Sequence, residues 1–186
     1  NVPVQEAYDA FDNDDPRRDI AILDINAWAA STGATFGTGN EHTGYFNRKY
    51  IPRTRSSNAL PDLNLTNPNN YRAIRYADVL LMAAEANNRG GLNESKAQNY
   101  LNQVRRRAFG DELHDVTASG LSLTNAIYLE RRLELVGEGH RFFDLVRTGK
   151  AAQEINGFQE GKHELFPIPA IEIQLAGNVW AQNPGY

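Results

Sequence analysis

The strongest pattern in the chain is the helical spacing of apolar residues between positions 71 and 149. From Tyr71 to about Arg89, Ala73, Ile74, Tyr76, Ala77, Val79, Leu80, Leu81, Met82, Ala83, Ala84 and Ala86 cover nearly the whole circumference of a helix. A helix apolar on all sides is expected at the centre of a fold. Gly90-Gly91 stops it. Asn93 is a good N-cap for a second helix. There Ala97, Tyr100, Leu101, Val104 and Ala108 mark one buried face, and Arg105-Arg106-Arg107 place cations at the negative end of the helix dipole. A third helix is predicted from near Ser122 to about Val136, interrupted by Gly137 and Gly139. A fourth runs from His140 to Thr148 and ends at Gly149. Short glycine connections between helices favour antiparallel neighbours. The fold class expected is mainly α, with helical hairpins packed antiparallel in a tetratricopeptide-like architecture, although the repeat consensus of that motif is not matched.

Residues 1–69 read differently. Turn signals recur at Asn13-Asp14-Asp15-Pro16, Gly33, Gly37, Thr38-Gly39-Asn40, Gly44, Pro52, Pro61 and Asn67-Pro68-Asn69-Asn70. Asp19–Ile25 and Tyr45–Ile51 are the two expected strands. The division expected is a loop-rich segment, 1–69, and a helical core with an irregular tail, 70–186, forming one structural unit. Loop regions this long are often functional.

Charge and composition narrow the chemistry. Nineteen basic and 23 acidic side chains leave a net charge of −4, which disfavours nucleic acid as a partner. With no cysteine, disulfides, thiol catalysis and Cys-based zinc sites are excluded. No apolar run approaches the roughly 18 residues a membrane span needs. The phosphate-binding glycine motifs, the GxSxG elbow and paired-histidine metal spacings are also absent, and no cofactor is expected. Asp12, Asp14 and Asp15 fail the calcium-loop spacing and read as a capped turn.

The third helix contains a conflict. Glu130 and Glu134 lie on the same face as Leu123, Ile127 and Leu133, with Glu138 one turn on. Carboxylates on an apolar face need cationic partners, since desolvating an ion costs several kcal/mol. Arg131, Arg132, Arg141, Arg147, Arg72 and Arg75 are the nearby cations. Two readings compete. One is a structural ion network of Glu130, Glu134, Arg75 and Arg141. The other is a carboxylate pair for glycoside hydrolysis, which needs an open cleft between the groups. The network is the better fit, because a packed helix face offers no cleft. A second cluster sits in the loop-rich half. Trp28, Phe36, Tyr45, Phe46 and Tyr50 lie among Asn26, Asn40, Asn47 and Arg48. Rings that stack on sugar faces beside amides and guanidinium groups make a workable glycan site, and Trp28, Tyr45, Asn47 and Arg48 are its candidate residues. The simpler alternative is that these rings pin loops to the core.

Six ordered blocks resemble the SusD/RagB family. They are Arg75–Ala86, Leu101–Ala108, Ile127–Leu135, Glu138–Gly149, Pro167-Ile168-Pro169 and Gln182–Tyr186. Asp15-Pro16-Arg17 and Arg48-Lys49-Tyr50 resemble weaker upstream markers of the same family. The resemblance implies a non-enzymatic, mostly helical lipoprotein of the outer membrane in Bacteroidota. Such a protein binds a polysaccharide, an oligosaccharide or another nutrient and serves a SusC-type TonB-dependent transporter. It also implies that this sequence is a C-terminal portion. A remaining N-terminal part of the same protein would bear the lipidated cysteine and be a further partner. A helical scaffold that binds only the transporter is the remaining alternative.

Overall fold

A computed structural model of the chain describes residues 2–39, 41–51 and 69–186. The turn signals at Asn40, Pro52, Pro61 and Asn67-Pro68, and with them the Asn40 of the candidate glycan cluster, lie outside the described residues. The molecule divides into two compact units, 1–139 and 140–186.

In the first unit, the short helices α1 (Gln5–Tyr8) and α2 (Arg17–Ala21) precede strand β1 (Ile22–Asp24) and helix α3 (Ile25–Thr32). Strand β2 (Tyr45–Asn47) runs into a 3-10 turn at Arg48–Tyr50. The two strands pair antiparallel, with Ile22 opposite Asn47 and Asp24 opposite Tyr45. Both expected strands therefore exist, but each is three residues long. Asp24 ends the first by accepting a hydrogen bond from the Ala27 amide at 2.9 Å, so the chain turns into α3. Phe11, Ala21, Ile22, Tyr45 and Leu133 form a small core beneath this hairpin.

Three long helices follow: α4 (Tyr76–Arg89), α5 (Glu94–Phe109) and α6 (Gly120–Glu134). Helix α4 packs against both α5 and α6. Ala77, Leu80, Leu81, Ala84, Ala97, Leu101, Val104, Leu123 and Ile127 close the main core. The connection between α4 and α5 is made as the pattern predicts, with Gly90 just after α4 and Asn93 just before α5. Asn93 caps α5 through Lys96 N at 2.9 Å, and Gly110 ends it at φ 83°. Two expectations need correction. Helix α4 begins at Tyr76 rather than Tyr71, because Arg75 adopts an extended backbone and sends its side chain to α6. Nor is α4 buried all round. Tyr76, Val79 and Met82 are exposed, because α5 and α6 cover only its other faces.

The second unit contains α7 (Arg141–Arg147), α8 (Ala151–Glu154) and α9 (Ala170–Leu175). Between α8 and α9 the chain is held by side chains. Gln182 both donates to and accepts from the Ile168 backbone, at 2.8 and 2.7 Å. Asn183 donates to Phe166 O. These amides satisfy a segment in which Pro167 and Pro169 cannot donate.

Candidate functional site: a buried ion cluster beneath a basic cleft

Helix α6 turns its inner face through Leu123, Ile127, Glu130 and Glu134, all nearly inaccessible; Glu130 is 1% exposed and Glu134 4%. Gly137, at φ 75°, then allows a turn that an L side chain resists, and it brings Glu138 back into the same interior. Three carboxylates are thus buried within nine residues of sequence.

Their partners come from four other segments. Arg17 Nη1 donates to Glu130 Oε1 at 2.5 Å and to Glu134 Oε2 at 3.2 Å. Arg105 donates to Glu130 Oε2 at 2.8 Å. Arg75 and Arg107 both donate to Glu134 Oε1, at 2.9 and 2.5 Å. Glu138 accepts from Lys49 Nζ at 2.6 Å, and from Arg75 at both oxygens. Lys49 and Arg75 also reach the Glu134 carbonyl, which the end of the helix leaves without an intrahelical donor.

Arg17 is itself positioned locally. Asp15 accepts its backbone N–H at 2.9 Å and its Nε and Nη2 at 3.0 and 2.7 Å. This is the capped turn expected at Asp12–Asp15, now seen to aim a guanidinium. Phe109 lies under both Arg17 and Arg105, 5.7 and 5.4 Å from ring centre to guanidinium carbon. A separate buried pair, Arg131 with Asp78 at 2.8 Å, ties α6 to α4.

The protonation states follow. Burial pushes Glu134 up, but Arg107 and Arg75 outweigh it and hold the carboxyl below its ordinary 4.5. Burial likewise pushes Glu138 up, and Arg75 and Lys49 reverse it. Burial pulls Lys49 down, against its bond to Glu138. A glycosidase acid needs a raised pKa and a site open to sugar. Glu134 and Glu138 have lowered pKa values instead, and their lone pairs are occupied by Arg and Lys donors. The cluster fixes α6 to α5, to the Arg75 segment and to the N-terminal turn.

Above this cluster lies a cleft of about 520 Å³. Arg17, Lys49, Arg75, Glu134 and Glu138 form the part shared with the ion cluster, while Arg48, Arg72, Ile20 and Ile51 also line it. Arg48 donates to the Asp19 carbonyl at 2.9 Å, and Arg72 stands over the Tyr50 ring at 5.7 Å.

The candidate glycan residues separate. Trp28 is 41% exposed on α3. Tyr45 is buried, stacked on Tyr8 with ring centres 4.7 Å apart, and its hydroxyl donates to Gln5. Asn47 donates to Gly137 O at 2.7 Å and accepts from Lys49 N, which ties β2 to the turn after α6. Arg48 alone of the four lines the cleft. Within the ion cluster, Glu130, Glu134 and Arg75 are joined as described, whereas Arg141 donates to Glu154 at 2.9 Å in the second unit. The pattern along the chain does not disclose Arg17, Arg105 or Arg107 as partners. The Arg105–Arg107 run satisfies the dipole reading equally well, and Arg17 lies 113 residues from Glu130. The Asp15-Pro16-Arg17 block was the available signal.

Among the described residues, no group of three His, Asp or Glu is placed to hold a metal, and no helix is long and apolar enough to cross a membrane. The fold and site together define a helical-hairpin scaffold clamped by an arginine–glutamate cluster. The chain belongs to the SusD family, whose sequence profile matches residues 3–164. It is 32% identical over its full length to SusD-like protein P2 of Formosa agariphila. It also resembles the surface glycan-binding protein A of Bacteroides thetaiotaomicron, at 32% identity and a TM-score of 0.80 over 97% of the chain. A structure of that protein with laminarihexaose aligns with a TM-score of 0.74 over 96% of the chain. In each case the chain spans about 40% of the relative's length.

Proposed function

We propose that the protein binds glycan at the outer-membrane surface without chemical turnover and passes it to a SusC-type TonB-dependent transporter. The observation that carries this reading is the likeness to a surface glycan-binding protein whose structure holds laminarihexaose. The ion cluster supports the non-catalytic part, since the carboxylates on α6 and in the turn after it are saturated by cations rather than poised for proton transfer. Attachment to the membrane is through a lipidated N-terminal part of the same polypeptide. Within the present residues, Trp28 offers an exposed ring for stacking and Arg48 a guanidinium for hydroxyl groups, while Tyr45 on Tyr8 and Asn47 on the turn after α6 hold strand β2 in place. Calorimetric titration of the protein with a panel of neutral and acidic oligosaccharides, laminarihexaose among them, tests the reading. Saturable binding without release of reducing ends is the expected result. Binding to none of the panel overturns it.

A further inference from the structure

The whole chain carries a charge of −4, yet the cleft is locally basic. Six cations line it, Arg17, Arg48, Lys49, Arg72, Arg75 and Arg107, against the two carboxylates Glu134 and Glu138. Both carboxylates are already satisfied. Glu134 accepts from three arginines, and Glu138 accepts from Arg75 at both oxygens and from Lys49. The deeper acids do not redress the balance, since Asp15 is bound to Arg17 and Glu130 is shared by Arg17 and Arg105.

The surplus lies at the rim. Arg48, Arg72 and Arg107 are all exposed there. Among the described residues, neither Arg48 nor Arg72 has a carboxylate within ion-pair distance. Arg48 uses one N–H on a backbone carbonyl, and the Arg72 guanidinium carbon stands 5.7 Å from the centre of the Tyr50 ring. A guanidinium has five N–H donors in a fixed fork. Each of these two therefore keeps N–H groups available to a ligand, and such forks match the planar oxygens of a carboxylate or the oxygens of a sulfate ester. Ile20 and Ile51, 60% and 41% exposed, add apolar surface to the same wall, as a sugar ring's C–H face requires.

We propose that this cleft is an anion-accepting subsite, which receives the carboxylate or sulfate substituent of an acidic oligosaccharide between Arg48 and Arg72. The inference rests on the glycan-binding reading and adds to it the charge class of the ligand. Attraction must be local, because the chain as a whole repels anions. Binding should therefore weaken with salt, through screening over distances of about 10 Å at 0.1 M.

The test titrates trigalacturonate and a sulfated carrageenan tetrasaccharide into the full chain, beside neutral laminarihexaose. The acidic probes are expected to bind about tenfold more tightly than the neutral one at low salt, the factor set by one retained charge-assisted contact. This advantage should shrink as sodium chloride is raised. In Arg72→Gln, with an unchanged melting temperature, the ratio of acidic to neutral affinity should fall to near one. An acidic advantage that survives Arg72→Gln intact overturns the assignment to this cleft. Neutral binding with no acidic advantage overturns the inference and leaves the glycan reading standing. Binding of no oligosaccharide at all overturns both.

Discussion

Arg75 closes a two-pronged fork on Glu138, Nε to Oε2 at 2.7 Å and Nη2 to Oε1 at 2.8 Å. The residue just before α4 is thereby locked to the turn after α6, and its remaining nitrogen holds Glu134. Lysine has a point charge and cannot reproduce a planar fork. Arg75→Lys should therefore destabilise the protein nearly as much as Arg75→Ala, by about 3 kcal/mol, the low end for breaking a buried pair because Arg75 is partly exposed. Urea denaturation measures it, and full rescue by lysine would mean that charge alone matters here.

The cluster also sets a pH dependence. Asp15, Glu134 and Glu138 all have folded-state pKa values depressed below the ordinary 3.8 and 4.5. A depressed carboxyl binds fewer protons in the folded state than in the unfolded state. Its contribution is therefore complete above the unfolded value and lost as pH falls. The contribution of these three carboxylates should be level above about pH 5.5 and decline steadily below 4.5, as they protonate. Thermal melts across pH 3–7 check this. A Glu134→Gln protein, already lacking one of these groups, should show a shallower acid decline.

The turn after α6 is tight. A Cβ on Gly137 would lie 2.6 Å from Asn47 Nδ2, whose amide is fixed by its bonds to Gly137 O and Lys49 N. Gly137 also sits at φ 75°. Gly137→Ala should cost about 3 kcal/mol, combining backbone strain with displacement of Asn47. Gly110→Ala is the control. It has a similar φ of 83° with nothing within 4 Å, and so reports strain alone and should cost less.

His114 bridges Asp111 and Asp14 at 2.9 and 3.1 Å and stacks on Phe109. Its bond to Asp111, then that to Asp14, raises its pKa above the ordinary 6.5. The stabilising contact is complete below 6.5 and is lost as pH rises through the folded-state value. Proton NMR of the ring should show a midpoint above 6.5, moving down in Asp111→Asn.

The legible part of the fold was the part built on local spacing. Helices α5 and α6 begin and end within about two residues of their expected positions, because Asn93, Gly110 and the apolar stripes act within a turn or two of chain. The N-terminal segment was less legible. Asp19–Ala21 belongs to α2 rather than to a strand, since the Asp15–Arg17 turn starts a helix just before it. Helix α3, which carries Trp28, has no long apolar stripe to announce it. The burial of Glu130 and Glu134 was readable from the face they occupy. Most of their partners were not, because pairing across a fold leaves no periodic trace. Arg75 was within reach as a neighbour in the pattern, whereas Arg17 was aimed by a turn 113 residues before Glu130.

In this reading the carboxylates of α6 hold the fold rather than perform a reaction. Denaturant unfolding of Glu130→Gln tests it most directly. Glu130 is 1% exposed and neutralises Arg17 and Arg105. Its loss leaves two guanidinium groups undercompensated, so the account predicts a drop of about 3–5 kcal/mol in unfolding free energy. A Glu130→Gln protein as stable as the parent, or more so, would contradict the account, since that is how a carboxylate retained for chemistry at the expense of stability behaves.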